Sequence, residues 1–250
     1  MLPHALNGLD FVERFYSFEE IDSTNEYAKK LRHTPQKGIY IIQAEKQSAG
    51  RGRRGNSFFS SHNGGLWISI VTSVKELSDH FIHNRAISLA ICETLKKRVP
   101  QKKISIKWPN DIYWDDRKIA GILLERTPAS ENSIIVGFGL NVNIPEDAFP
   151  HNLQHCATSL LRETGTRHSS IAILRKILRL YHHCCIADQK DMHGFYRNNL
   201  YKVGYKATLD NVEGVFENVE QNGRILIRTP NGPRAFSSGT LRFYSGGENV

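Results

Sequence analysis

Cysteine is scarce in this chain and poorly arranged for cross-linking. Only four occur in 250 residues, Cys92, Cys156, Cys184 and Cys185, and none forms a CxxC spacing. The adjacent pair lies in a helical pattern, a poor place for a disulfide framework, so reduced thiols in a cytoplasmic protein are expected. No apolar run approaches the length a membrane helix needs, which excludes a helical span. The opening residues, MLPHALNGLDF, have neither a charged n-region nor a long apolar stretch, so no signal peptide is expected. Acidic residues are in deficit, 25 Asp and Glu against 33 Lys and Arg, leaving a formal charge of +8. That balance favours anionic partners such as nucleotides, acidic proteins or nucleic acid, without choosing among them.

What is present is an ordinary globular composition, 40% hydrophobic and 10% aromatic, with length for one large domain or a large and a small one. The most informative stretch is QSAGRGRRGNSFF, residues 47–59. Gly50, Gly52 and Gly55 alternate with Arg51, Arg53 and Arg54, and Phe58 and Phe59 close the run. Glycines let the backbone approach a ligand closely, and arginine forks suit carboxylate or phosphate oxygens. Strand-like blocks flank it, Ile39 to Ile42 before and Leu66 to Val71 after. A cationic glycine loop between two buried strands is suited to gripping an anion; a solvated basic loop is the plainer alternative.

Three further blocks carry chemistry. Residues 20–26, EIDSTNE, start a helix that continues through Tyr27, Ala28 and Leu31. Ser23 and Glu26 fit a capping box there, and the alternative is that Ser23, Thr24 and Asn25 present polar groups to a ligand. A long helix is predicted over Asp79–Arg98. In residues 104–125, ISIKWPNDIYWDDRKIAGILLE, three short strands turn at Pro109–Asp111 and at Asp115-Asp116. Lys107, Asp111 and Lys118 thus sit on adjacent strands or their ends, as an ion pair or as ligand contacts. In residues 134–143, IIVGFGLNVN, Gly137 and Gly139 face one side of an apolar strand, marking a bend or the close approach of a ligand. No third glycine completes a dinucleotide fingerprint.

In this order, IDSTN, QSAGRGRRGN, KWPND followed by RKIAG, and GFGLNVN resemble the biotin–protein ligase catalytic domain. The resemblance covers roughly the first three-quarters of the chain. It implies an α+β fold, a mixed β-sheet flanked by helices of the class II synthetase-like kind, over residues 1–195, with a small SH3-like β-barrel over 196–250. It also implies two-step chemistry: biotin and ATP, with Mg²⁺, give biotinyl-5′-AMP, and a lysine of the acceptor domain of a biotin-dependent carboxylase then takes the biotin. Carried over residue by residue, Lys118, Arg51, Arg53 and Asp111 would serve catalysis. Ser23, Thr24, Asn25, Gln47, Gly50, Arg51, Arg53, Phe58, Lys118, Gly137 and Gly139 would bind biotin. Arg53, Arg54, Asn56, Phe59, Lys107, Asn110, Lys118 and Asn141 would bind ATP. Asp111 would either orient the reacting groups or help hold the metal.

Two features depart from the family pattern. Asn56 stands where an arginine often ends the loop, and a family tryptophan often stands where Phe58 does. The STN block also begins too near the N-terminus for a winged helix ahead of it, so the resemblance is to the form without a DNA-binding domain, and no DNA partner is expected. Homodimerisation through a sheet edge stays open.

Downstream, residues 147–155 read as a loop. Thr158 to Leu160 open a helix, and Ser169 or Ser170 caps another with Ile171, Leu174, Leu178, Tyr181 and Cys185 on one face. His182 to Cys185 point in different directions on a helix, which argues against one metal shell. From Tyr201 the pattern becomes short strands joined by Asn222-Gly223 and Asn231-Gly232, a strong hairpin signal. Two rivals are a lipoate–protein ligase, whose loop is richer in serine, and a nucleic-acid-binding module using the basic charge.

Overall fold

The computed structural model describes residues 6–74, 76, 79–99 and 101–244. The outer ends of the two expected domains, residues 1–5 and 245–250, lie outside the described residues.

Seven strands make the main sheet: β1 (Val12–Ile21), β2 (Ile39–Gln47), β3 (Gly65–Ser73), β4 (Ile104–Lys107), β5 (Asp111–Trp114), β6 (Arg117–Arg126) and β7 (Ser133–Asn141). Their order is β1-β2-β3-β7-β6-β5-β4. Only β1 and β2 run parallel, because helix α1 (Thr24–Lys30) carries the crossover between them; the other pairs are antiparallel. β1 was not foreseen in the sequence. Residues 20 and 21 end this strand, and the helix starts only at Thr24.

The period-2 pattern of β2 sorts its side chains to two faces. Ile39 and Ile41 enter the large core, whereas Tyr40 and Ile42 join Ala28, Val71 and Ile135 beneath α1. Helices α2 (His80–Lys96) and α4 (Ser170–Ile186) pack on each other over the large-core face. β7 is central and buried along its whole length, with Ile134, Val136, Phe138 and Leu140 towards that core. Its other face carries Gly137 and Gly139, and beyond the reach of α1 this glycine face is left open.

Short helix α3 (Leu160–Thr164) opens where expected, with Ser159 Oγ accepting from Arg162 N–H, and of the two candidate caps of α4 it is Ser169 whose Oγ accepts from Ala172 N–H. The buried stripe of α4 is rotated from the expected one. Ile173, Leu174, Ile177, Leu178, Tyr181 and Cys184 are inside, while Ile171 is 36% exposed. A helix packed against both a sheet and α2 buries two adjoining ridges, not one. His182 stacks on Phe11 with ring centroids 4.2 Å apart. Helix α5 (Gln189–Asn198) was also missed; it contains residue 195, and the second sheet begins after it.

That second sheet has five antiparallel strands, β8 (Lys206–Leu209), β9 (Val212–Val219), β10 (Ile225–Thr229), β11 (Gly232–Phe236) and β12 (Leu241–Phe243), ordered β11-β10-β9-β8-β12. It is consistent with an SH3-like domain. The Asn-Gly turns fall where expected because Gly223 and Gly232 take φ of 89° and 102°. The small sheet is docked, not tethered. Trp108 Nε1 donates to the Gly223 carbonyl (3.0 Å), and Ile106 on β4 exchanges backbone bonds with Asn199 and Tyr201 (2.7 and 2.9 Å). Among the described residues no helix is long and apolar enough to cross a membrane.

Candidate active site

The open glycine face of the main sheet becomes the floor of a cleft. A Cβ at Gly137 would lie 2.3 Å from Asn25 Oδ1, and one at Gly139 or Gly121 would lie 2.4 or 2.7 Å from the Phe58 ring. These glycines therefore let Asn25 and Phe58 lie flat on the strands, and the cleft opens above and between them. Its space, open mouth included, is about 1070 Å³.

One end is neutral and densely hydrogen-bonded. The β2 strand ends on Gln47, whose Oε1 accepts from Thr24 N–H (2.8 Å) and Thr24 Oγ1 (3.1 Å). The Ser69 hydroxyl, in the middle of β3, faces Thr24 Oγ1 (2.8 Å) and also bonds Asn25 Oδ1. Asn25 Nδ2 donates to Glu125 Oε2 (2.8 Å), and Lys29 Nζ bridges Glu125 and Glu26 (2.7 and 2.8 Å). Ser23 is buried at the helix N-cap but makes no capping bond, so the expected Ser23–Glu26 capping box does not form. Glu26 instead pairs with Lys29 and Arg51, leaving the Ser23 hydroxyl on the cleft wall. Its carboxyl is held below the usual range, first by the Lys29 hydrogen bond and then by the charges of Lys29 and Arg51.

The other end is cationic. Lys118, on β6, is 2.7 Å from Asp111 Oδ1 at the start of β5, and its ammonium lies 5.4 Å from the centre of the Phe58 ring. The pair arises because the Asp115-Asp116 turn returns the chain beside itself, Asp115 taking φ of 50°. Lys107 closes this end, its Nζ 3.3 Å from Tyr113 OH. Burial lowers its pKa, while the Asp111 charge opposes the shift. Asn110 Nδ2 donates to the Ile122 carbonyl (2.5 Å), which holds the KWPND turn against β6.

The glycine-arginine loop lies across the cleft, and its arginines diverge. Arg51 reaches α1 and pairs with Glu26. Arg54 reaches the small sheet, where it meets Asp210 Oδ1 (3.2 Å) and Thr240 Oγ1 (2.9 Å). Among the described residues, no carboxylate forms an ion pair with Arg53, which lines the cleft. Burial lowers its pKa, Arg54 adds to that, and the charges of Asp111 and Asp210 oppose it.

The structure thus gathers Ser23, Thr24, Asn25 and Gln47 at one end, Lys107, Asn110, Asp111 and Lys118 at the other, and Arg51, Arg53, Arg54 and Asn56 from the loop, with Phe58 on the floor beside Gly137 and Gly139. Three expected contacts are not brought to the wall. Gly50 lies under the loop, where a Cβ would clash with Ser60 and the Phe58 carbonyl. Phe59 turns away to pack on Phe149, centroids 5.7 Å apart, in an apolar cluster with Trp67. Asn141 is buried and donates to the Thr158 carbonyl (2.9 Å). Gly121, Ser69 and the small-sheet residues Gly239, Thr240 and Leu241 escaped the sequence reading. A serine centred in the apolar run LWISIV was a usable signal for Ser69; the small-sheet residues had none, since only the docking brings them in.

Asp111 is the one carboxylate on the cleft wall among the described residues, and it is already paired with Lys118. No group of three or more His, Cys, Asp or Glu that could cage a metal occurs among the described residues. Asp111 is thus the wall residue that could share a divalent cation with a ligand's phosphates, and the described residues form no all-protein cage.

Comparison with known proteins agrees with this geometry. The family model described as "Biotin/lipoate A/B protein ligase family" matches residues 17–143. The Bifunctional ligase/repressor BirA of Escherichia coli is 38% identical over 125 residues, 49% of this chain and 38% of that protein. The biotin–[acetyl-CoA-carboxylase] ligase of Mycobacterium tuberculosis is 33% identical over 129 residues, 50% of this chain and 45% of that one. The chain thus spans less than half the length of these relatives. Among solved structures, a biotin protein ligase from Aquifex aeolicus in complex with biotin and ATP superposes with a TM-score of 0.82 at 26% identity, covering 93% of this chain and all of that one. With sheet order, glycine floor and motif order all in accord, the chain belongs to the biotin/lipoate A/B protein ligase family.

Proposed function

We propose that this chain is a biotin–protein ligase that activates biotin with ATP and transfers it to a lysine on the acceptor domain of a biotin-dependent carboxylase. One observation carries the reading: a buried neutral hydrogen-bonding end and a cationic end meet across one glycine floor, with Lys118 and Asp111 on the cationic side. A ureido ring has two N–H donors and a carbonyl, which Ser23, Thr24, Asn25 and Gln47 can satisfy. A dithiolane has neither N–H donors nor a carbonyl, so it could make none of the hydrogen bonds that this end offers a ureido ring. That favours biotin over lipoate within the family.

In the first step the biotin carboxylate attacks the α-phosphorus of ATP, forming the acyl-phosphate bond as the bond to pyrophosphate breaks. Two anions must approach, so fixed cations have to offset their repulsion. Lys118 would lie between them, with Arg53 and Lys107 adding charge from the loop and from β4. Asp111 orients the Lys118 ammonium and is the residue that would share Mg²⁺ with the nucleotide, where the ion supplies charge neutralisation. In the second step a neutral lysine amine of the acceptor attacks the acyl carbon, the C–O bond to AMP breaks, and the new amide nitrogen loses a proton to solvent or to the departing phosphate. Phe58, lying over Lys118, would keep water from the activated acyl group.

Calorimetry with biotin and with lipoate, each with and without ATP, together with pyrophosphate release, tests the proposal. Biotin-dependent release and biotin binding well above that of lipoate are expected. Preferential turnover of lipoate, or salt-sensitive nucleic-acid binding without any ATP-dependent acid activation, overturns it.

A further inference from the structure

Among the described residues, Arg54 makes the side-chain hydrogen bonds that join the glycine-arginine loop to the small sheet. Arg54 is the loop residue with an unfavourable backbone, φ 55° and ψ 34°, followed by Gly55 at φ 77°. Two consecutive left-handed residues throw the loop into a tight turn that a non-glycine residue resists. The same Arg54 guanidinium is held by Asp210 Oδ1 (3.2 Å) and Thr240 Oγ1 (2.9 Å). Asp210 Oδ1 also accepts the Thr240 N–H (2.9 Å), so one carboxylate oxygen ties the β8–β9 turn, the segment before β12 and the loop together. Immediately beside this tie, Arg53 lines the cleft without an ion-pair partner among the described residues.

We propose that Asp210 and Thr240 are positioning residues which, through Arg54, hold the loop in the turn that presents Arg53 to the cleft, so that the small sheet completes a site built on the large one. This rests on the ligase reading above for its kinetic consequence but not for its structural one. The three arginines then divide the work: Arg51 anchors the loop to α1, Arg54 anchors it to the small sheet, and Arg53 faces the ligand. Because the pair is half-exposed, its loss weakens the loop's preference without unfolding anything. Substrate must then also supply the cost of ordering the loop, and apparent affinity falls in proportion to the fraction of ordered loop.

The test uses the full chain. Asp210→Asn keeps a residue that tolerates a positive φ and can still accept the Thr240 N–H, so it removes mainly the charge that holds Arg54. Without ligand, tryptic cleavage at Arg51 and Arg53 should accelerate roughly twofold to fivefold, while Tm stays near that of the parent. In pyrophosphate release, KM for ATP and biotin should rise by a similar factor with kcat retained. The exchange Arg54→Asp with Asp210→Arg reverses the pair, puts an aspartate that tolerates positive φ at position 54, and should restore slow cleavage at Arg51. Unchanged cleavage in Asp210→Asn, or a failure of the exchange to restore it with the fold intact, overturns the proposal. A loss of kcat at unchanged KM also overturns it, because Asp210 would then act on the reaction and not on the loop. The proteolysis reports on the latch even if no biotin is activated, so failure of the latch and failure of the ligase reading are separable.

Discussion

Replacing Lys118 with glutamine separates the reaction from the fold. Glutamine keeps most of the aliphatic stem beneath Phe58 and can still donate to Asp111, but carries no charge. The Lys118–Asp111 pair is 32% and 23% exposed at its two side chains, so its worth to stability is discounted by solvent to about 0.2–1 kcal/mol. Tm should therefore move by no more than a few degrees. The same charge opposite two converging anions in a water-poor site is worth far more, about 3–4 kcal/mol, by analogy with removal of one group that stabilises developing charge. Biotin-dependent pyrophosphate release should fall roughly a hundredfold to a thousandfold in kcat/KM. The assay is steady-state release at several biotin and ATP concentrations, paired with urea denaturation of the same preparation. A loss under tenfold, with the variant folded, would refute the role given to Lys118. A large loss that merely follows the unfolded fraction would refute the claim that the pair is catalytic more than structural.

Three other outcomes follow from the geometry. Gly137→Ala puts a methyl 2.3 Å from Asn25 Oδ1, a side chain fixed by Ser69 and Glu125; the variant should lose about 1–3 kcal/mol in urea denaturation and bind biotin at least tenfold more weakly by calorimetry, and a parent-like affinity contradicts the floor assignment. Arg53→Ala should raise KM for ATP at least tenfold while leaving tryptic cleavage at Arg51 unchanged, whereas an acceleration of that cleavage would make Arg53 an anchor like its neighbours. Burial lowers the His83 pKa from 6.5 to about 4; the folded protein refuses a proton that the unfolded chain accepts, so stability present above pH 7 is lost as pH falls towards 4, by about 2 kcal/mol at pH 5. Urea midpoints measured from pH 8 to 5 check this, and His83→Gln should flatten the slope; an equal slope in the variant assigns the loss to other groups.

Much of the site could be read from the residue string because its chemistry is concentrated in short, contiguous blocks. The loop at 47–59, the turn carrying Lys107, Asn110 and Asp111, and the Gly137–Gly139 pair each reside on one strand or one connection, so local pattern placed them on neighbouring elements. Errors arose where local pattern is ambiguous. Ser23 and Glu26 have the spacing of a capping box, yet Glu26 is drawn to Lys29 and Arg51, partners with opposite charge that no spacing rule weighs. Phe58 and Phe59 are adjacent aromatics, and only packing sends one over Lys118 and the other to Phe149.

By itself the sequence determined the central strands and their faces, though not β1, together with the cationic glycine loop, the hairpins of the small sheet and the family, since these depend on periodicity, turn chemistry and residue type within a few positions. The tertiary structure alone decided which arginine is left facing the cleft, which glycines seat Asn25 and Phe58, and that Asp210 and Thr240 stand beside Arg54. Those are contacts between segments up to 186 residues apart. They exist because two sheets dock, and a short-range pattern holds no record of which surfaces will meet.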